Sequence, residues 1–213
     1  MDVGIRALTP LLADDYMYFM KYAAFTDHPE WARCCCLHFH WNEDMEADYQ
    51  EFVRTSGNEL YLSFAHRRAE EYVKNGVIQG YLAYSEGRVA GWCNANDKKN
   101  YAVLNAKPEL WTDGEDQKVK SVVCFLVAPD MRGHGIASQL LARVCGDAAK
   151  DGYDYIEAYP PAGNPDMYAA HHGTIPFYEK FGFTVHEAKD NEIVVRKYLD
   201  SSMKEEPSCT AKK

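Results

Sequence analysis

Arg132, Gly133, His134, Gly135, Ile136 and Ala137 lie between an apolar run and a helical stripe of Ile136, Leu140, Leu141, Val144 and Ala148. Glycines let a backbone approach a ligand closely, and the first N–H groups of a following helix lack partners within that helix. These groups carry the positive end of the helix dipole, so the segment is an anion site, and Arg132 adds a fork of donors suited to phosphate oxygens. The chemistry fits a pyrophosphate. A dinucleotide fingerprint needs Gly or Ala where Ser138 stands, and the other common phosphate loop needs Gly-Lys-Ser or Gly-Lys-Thr; both signatures are missing.

Two further clusters invite chemistry. Cys34, Cys35, Cys36, His38 and His40 are all zinc-type ligands. Three consecutive residues on an extended chain alternate between faces and cannot converge on one ion, so no metal is expected and the cysteines read as small buried apolar groups. Glu157 stands among Tyr153, Tyr155, Ile156, Ala158 and Tyr159, a pattern expected to be covered on both faces. A carboxylate placed there needs a partner or a purpose.

The elements that hold these residues alternate. Residues 4–8 read as a strand; Thr9 and Pro10 open a helix with apolar positions Leu12, Tyr16 and Phe19. Residues 61–75 form a helix stopped by Gly76, and residues 80–84 and 88–93 pair around Ser85, Glu86 and Gly87. Residues 119–127 are apolar enough for a central strand. After the loop and its helix come a strand over 153–159, a short helix over 174–181, and a last strand pair over 183–187 and 192–198 around Asp190 and Asn191. Residues 34–41 give no clear element. The pattern is one mixed α/β domain over residues 1–199, with a polar, mobile tail over 200–213.

Composition narrows the class. Of 213 residues, 46% are hydrophobic and 26% charged, which excludes a disordered chain. Lys and Arg number 23 against 32 Asp and Glu, a formal charge of −9, so a nucleic-acid partner is not expected and a cationic ligand is favoured. Seven cysteines without framework spacing, no leader and no bilayer-length apolar run point to the cytoplasm and to no membrane.

Arg132 to Ala137, preceded by Phe125-Leu126-Val127-Ala128-Pro129 and followed by Phe177-Tyr178-Glu179-Lys180-Phe181-Gly182-Phe183, resembles the GNAT superfamily of acetyl-coenzyme A dependent N-acetyltransferases. The likeness spans residues 80–198, and more loosely 4–23. It implies a six- or seven-stranded mixed, mostly antiparallel sheet flanked by helices, with strands 119–127 and 153–159 splayed apart. Pantetheine would then bond the backbone of Phe125 and Val127, and the pyrophosphate would bind Arg132, Gly133, His134, Gly135, Ile136 and Ala137. The resemblance further implies acetyl-CoA as co-substrate, no metal, and a homodimer as one assembly.

It also implies that Tyr178 is the general acid that protonates the departing thiolate. A base must take the amine proton, and Glu157 and His172 are equal candidates, since some relatives carry a glutamate where this chain has Ser121. The expected reaction is direct acetyl transfer to a small, cationic primary amine. Trp41 with Glu43, Asp44 and Glu46 offers acceptor surface, while Lys98 and Lys99 read as a solvated face. The alternatives are transfer to a protein or peptide amine, and a non-catalytic acyl-CoA sensor.

Overall fold

The computed structural model describes residues 2–56, 61–111, 116–163, 169–189 and 192–199. Asp190, Asn191, Cys209 and the tail lie outside them. Seven strands form one sheet: β1 (Gly4–Ala7), β2 (Gly80–Ser85), β3 (Arg88–Asp97), β4 (Val119–Val127), β5 (Tyr155–Ala158), β6 (Thr184–Lys189) and β7 (Glu192–Tyr198). Their order across it is β1-β2-β3-β4-β5-β7-β6. Every neighbouring pair is antiparallel except β4 with β5. Each predicted strand is present, and β7 inserts between β5 and β6.

β4 is buried from Val119 to Leu126, as its apolar run requires of a middle strand. It pairs with β5 only from Val119↔Tyr155 to Val122↔Ala158. Pro160 and Pro161 follow Tyr159, and proline has no N–H for a ladder, so β5 stops while β4 runs on. Residues 123–127 therefore have no strand partner on that side among the described residues. This is the expected splay, and its local cause is the proline pair.

The two sheet faces are covered by different helices. Trp92 packs edge-on against Tyr16 of α1 (Ala13–Tyr18), their ring centroids 5.0 Å apart, so α1 covers the Trp92 face. α3 (Tyr61–Lys74) packs on α1. α5 (Ile136–Lys150) lies across β2, β3 and β4 on the opposite face, burying Ile136, Leu140, Leu141, Val144 and Ala148. The acidic run after Trp41 is the first turn of α2 (Glu43–Ser56), where carboxylates meet the positive helix end; Asn42 Oδ1 caps it by accepting from the Met45 N–H at 2.9 Å.

Three expectations need correction. Thr9 makes no side-chain cap, and α1 begins at Ala13 after a 3₁₀ turn over Pro10–Leu12. Cys34 to Cys36 are not extended: Cys35 and Cys36 adopt φ of 43° and 53°, a left-handed kink. Lys98 is not solvated but 2% exposed, its ammonium drawn inward by Glu157 at 2.6 Å, the Leu110 carbonyl and the Trp111 ring at 4.7 Å.

Candidate active site

The phosphate-type loop leads directly into α5. Gly133 and Gly135 take φ of +79° and +76°, and a Cβ at either would meet nothing within 4 Å. The glycines answer the left-handed backbone rather than crowding. Gly135 caps α5 without any side-chain bond, so the first-turn N–H groups stay available. A cleft of about 410 Å³ lies against them, lined by Phe125, Val127, Arg132, Gly133, Gly135, Ile136, Ala137 and Phe177 among others. His134 alone of the expected residues does not line it; its ring turns back to the Arg132 carbonyl at 3.0 Å. Arg132 holds Asp27 at 2.5 Å, a bond that keeps the Asp27 carboxyl below the usual carboxylate range.

The other wall of the opening comes from the segment ahead of α6 (Ile175–Glu179). His172 Nδ1 donates to the Val123 carbonyl at 2.7 Å, in the part of β4 that β5 has left. That bond places the proton on Nδ1 and leaves Nε2 as the basic nitrogen. Tyr178 is wholly buried, and its hydroxyl donates to the His172 carbonyl at 2.9 Å; burial raises its pKa well above the ordinary value, so it keeps its proton. Gly173 makes this possible, because a Cβ there would lie 2.7 Å from the Tyr178 ring. The His-His-Gly sequence thus shapes the site as well as supplying an imidazole.

On the Trp92 face, His172 borders a cavity of about 60 Å³ with His38, Phe39, Cys34, Cys36, Asn94, Cys124, Leu126, Phe25 and His171. His171 also lines the cleft, so the two spaces have one wall residue in common. Cys34 and His38 lead on from the cavity into a groove of about 600 Å³ walled by Trp31, Trp41, Tyr49, Tyr61, Arg33 and Glu30. Burial, with help from His172, lowers the His38 pKa. Cys36 is tied down by the Trp92 indole N–H at 3.3 Å, and its pKa is raised, first by the Cys124 side chain beside it, so it is a poor nucleophile.

Glu157 occupies a different setting. Its register places it opposite Ser121 and Arg196, and Asn96 is opposite Ser121, giving four polar residues in a row across four strands. Arg196 reaches Glu157 at 2.6 Å, Lys98 reaches it at 2.6 Å, and the Tyr159 hydroxyl donates to it at 3.1 Å. Tyr159 lines a space of about 220 Å³ beside His172, so Glu157 meets that space through Tyr159.

Sequence reasoning did not single out Asn94, Glu30, Trp31, Tyr49 or Tyr61. Asn94 lies one position beyond the expected strand 88–93, in a β3 that is buried on both faces, so a polar residue there was a readable signal; the groove residues come from three separate segments and gave none. Among the described residues no group of three or more His, Cys, Asp or Glu is placed to hold a metal.

Fold and openings together define an α/β protein with a cleft at the start of α5 and a second cavity bordered by His172. The sequence profile of the acetyltransferase (GNAT) family matches residues 29–183, and the chain belongs to that family. Solved structures share the fold at low identity. The PaiA N-acetyltransferase of Thermoplasma acidophilum, in complex with coenzyme A, is 15% identical with a TM-score of 0.50, covering 93% of this chain and 100% of its own. A polyamine N-acetyltransferase of Drosophila melanogaster, which forms N-acetylagmatine, is 14% identical with a TM-score of 0.51 over 93% and 100%. An N-acetyltransferase of Staphylococcus aureus Mu50 is 15% identical, TM-score 0.51, over 94% and 100%. No curated protein matches the chain by sequence.

Proposed function

We propose that the protein transfers acetyl from acetyl-CoA directly to the primary amine of a small cationic molecule in the cytoplasm. The observation that carries this reading is that the α5 cleft shares His171 with a cavity bordered by His172, and that cavity shares Cys34 and His38 with an aromatic groove. Pyrophosphate oxygens accept from the N–H groups of the 133–137 segment and from Arg132 once it exchanges Asp27 for phosphate. Pantetheine amides pair with β4 beyond Val122, where strand partners are missing.

His172 is the base in this reading, its Nε2 taking the amine proton as the C–N bond forms. Tyr178 passes its hydroxyl bond from the His172 carbonyl to the departing thiolate. Glu157 is assigned to the framework, because Lys98, Arg196 and Tyr159 already occupy its oxygens. The aromatic walls suit an ammonium ion in the groove, whose lining also carries Glu30 and Arg33, one charge of each sign. No helix among the described residues is long and apolar enough to cross a membrane, and six described cysteines are free, in keeping with a reducing compartment.

Thiol release from acetyl-CoA, followed across agmatine, polyamines, amino acids and peptide N-termini, tests the reading. Release is expected with the diamines and polyamines; none with any amine overturns it. His172→Ala should lower kcat by about 10²–10⁴ with thermal shift by coenzyme A retained.

A further inference from the structure

Asn94 is fully buried, and the Tyr101 hydroxyl, also fully buried, donates to its Oδ1 at 2.7 Å. With the oxygen held by Tyr101, the buried amide nitrogen finds no acceptor among the described residues, and Asn94 is one of the residues that line the 60 Å³ cavity. An unpaired amide N–H in an apolar enclosure is costly, on the order of 1–3 kcal/mol, and is kept where a ligand supplies the acceptor.

The position selects that ligand. Asn94 pairs with Cys124 and Ala95 with Val122, so Val123 is the extra residue of a bulge beside the point where β5 ends. Bulges of this kind re-aim side chains next to sites. At about 10–15 Å³ for each water-sized occupant, the cavity has room for about four to six such positions, enough for an acetyl group and an attacking nitrogen but not for a large acceptor. His171 borders both this cavity and the cleft, so a thioester threaded along β4 arrives here.

We propose that the side-chain amide of Asn94 is a catalytic hydrogen-bond donor to the thioester carbonyl oxygen, aimed by Tyr101 as a positioning residue; this rests on the acetyl-transfer reading. As the amine nitrogen bonds to the carbonyl carbon, the C=O π pair moves onto oxygen, and Asn94 Nδ2–H donates to that oxyanion. The pair then returns, the C–S bond breaks and coenzyme A leaves as thiolate, protonated by Tyr178, while the amine proton passes to His172. A donor fixed before the reaction favours the oxyanion over the neutral carbonyl, which is its catalytic effect.

The test compares wild type with Asn94→Leu and Tyr101→Phe in two measurements. One is infrared spectroscopy of bound, carbonyl-labelled acetyl-CoA without acceptor; the other is kcat and KM for the best amine. Thermal shift by coenzyme A confirms that each variant is folded. Wild type should move the carbonyl stretch to lower frequency, Asn94→Leu should abolish that shift and lower kcat about 10²–10³-fold with KM for the amine little changed, and Tyr101→Phe should fall between them. An unchanged carbonyl frequency in Asn94→Leu overturns the proposal, as does a rise in amine KM with kcat intact, which would make Asn94 an acceptor contact. An Asn94-dependent shift without turnover on any amine upholds Asn94 and overturns the transfer reading, and failure of wild type to bind acetyl-CoA overturns both.

Discussion

Glu157 and Asn94 are both fully buried polar residues on the same sheet face, yet one is saturated and the other is not. Glu157 receives Lys98, Arg196 and Tyr159; Asn94 receives Tyr101 on its oxygen and nothing among the described residues on its nitrogen. A saturated buried ion cluster fixes how β3, β5 and β7 meet and is expensive to disturb. A half-satisfied amide bordering a cavity does little for stability and offers chemistry. Burial of a polar residue therefore does not by itself mark a site; an unspent hydrogen bond in the lining of a cavity is what sets Asn94 apart.

The largest effect should come from breaking the saturated member. Glu157→Gln leaves two buried cations facing a neutral amide, and calorimetry should show a loss of about 3–5 kcal/mol, roughly 10 °C in Tm. A change under about 2 °C would mean that the cluster is not the clamp described.

A second unsaturated group adds a pH-dependent term. His40 is 4% exposed, its Nε2 has no partner among the described residues, and burial pushes its pKa down to about 4. The unfolded chain binds this proton near pH 6.5, so the stability from neutral His40 is complete above that pH and drains as the pH falls toward 4, reaching about 3 kcal/mol. Denaturant midpoints of wild type and His40→Phe should diverge below pH 6.5, the variant having the flatter profile; parallel profiles would exclude His40 as the source.

Smaller effects sharpen the contrast at Asn94. Asn94→Leu alone strands the Tyr101 hydroxyl and should cost about 1–3 kcal/mol. Adding Tyr101→Phe removes the stranded group, so the double variant should melt close to wild type although it has lost the amide donor. A double variant as unstable as Glu157→Gln would erase the distinction between the two residues.

Legibility followed the range of the interactions. The Arg132 to Ala137 loop and the α5 stripe were readable because a helix start and its periodicity are decided within a few residues. The arrest of β5 was equally local, written in Pro160 and Pro161, although the strand was expected to reach Tyr159. Lys98 was misread as solvated because its partners, Leu110, Trp111 and Glu157, lie 12 to 59 positions further along and meet it only through packing. The 34–41 segment resisted assignment because it is built from 3₁₀ turns and two left-handed cysteines with no period to detect.

The sequence by itself determined the strand and helix order, the glycine loop that opens α5 and the family, since each rests on local backbone preference and short motifs. Tertiary structure alone decided what the polar residues do. It gave Glu157 three partners, tied His172 to Val123 and Tyr178, and left the Asn94 nitrogen without an acceptor among the described residues. The physical reason is that a side chain's hydrogen-bond balance is set by groups from distant segments, and only the folded chain brings them within reach.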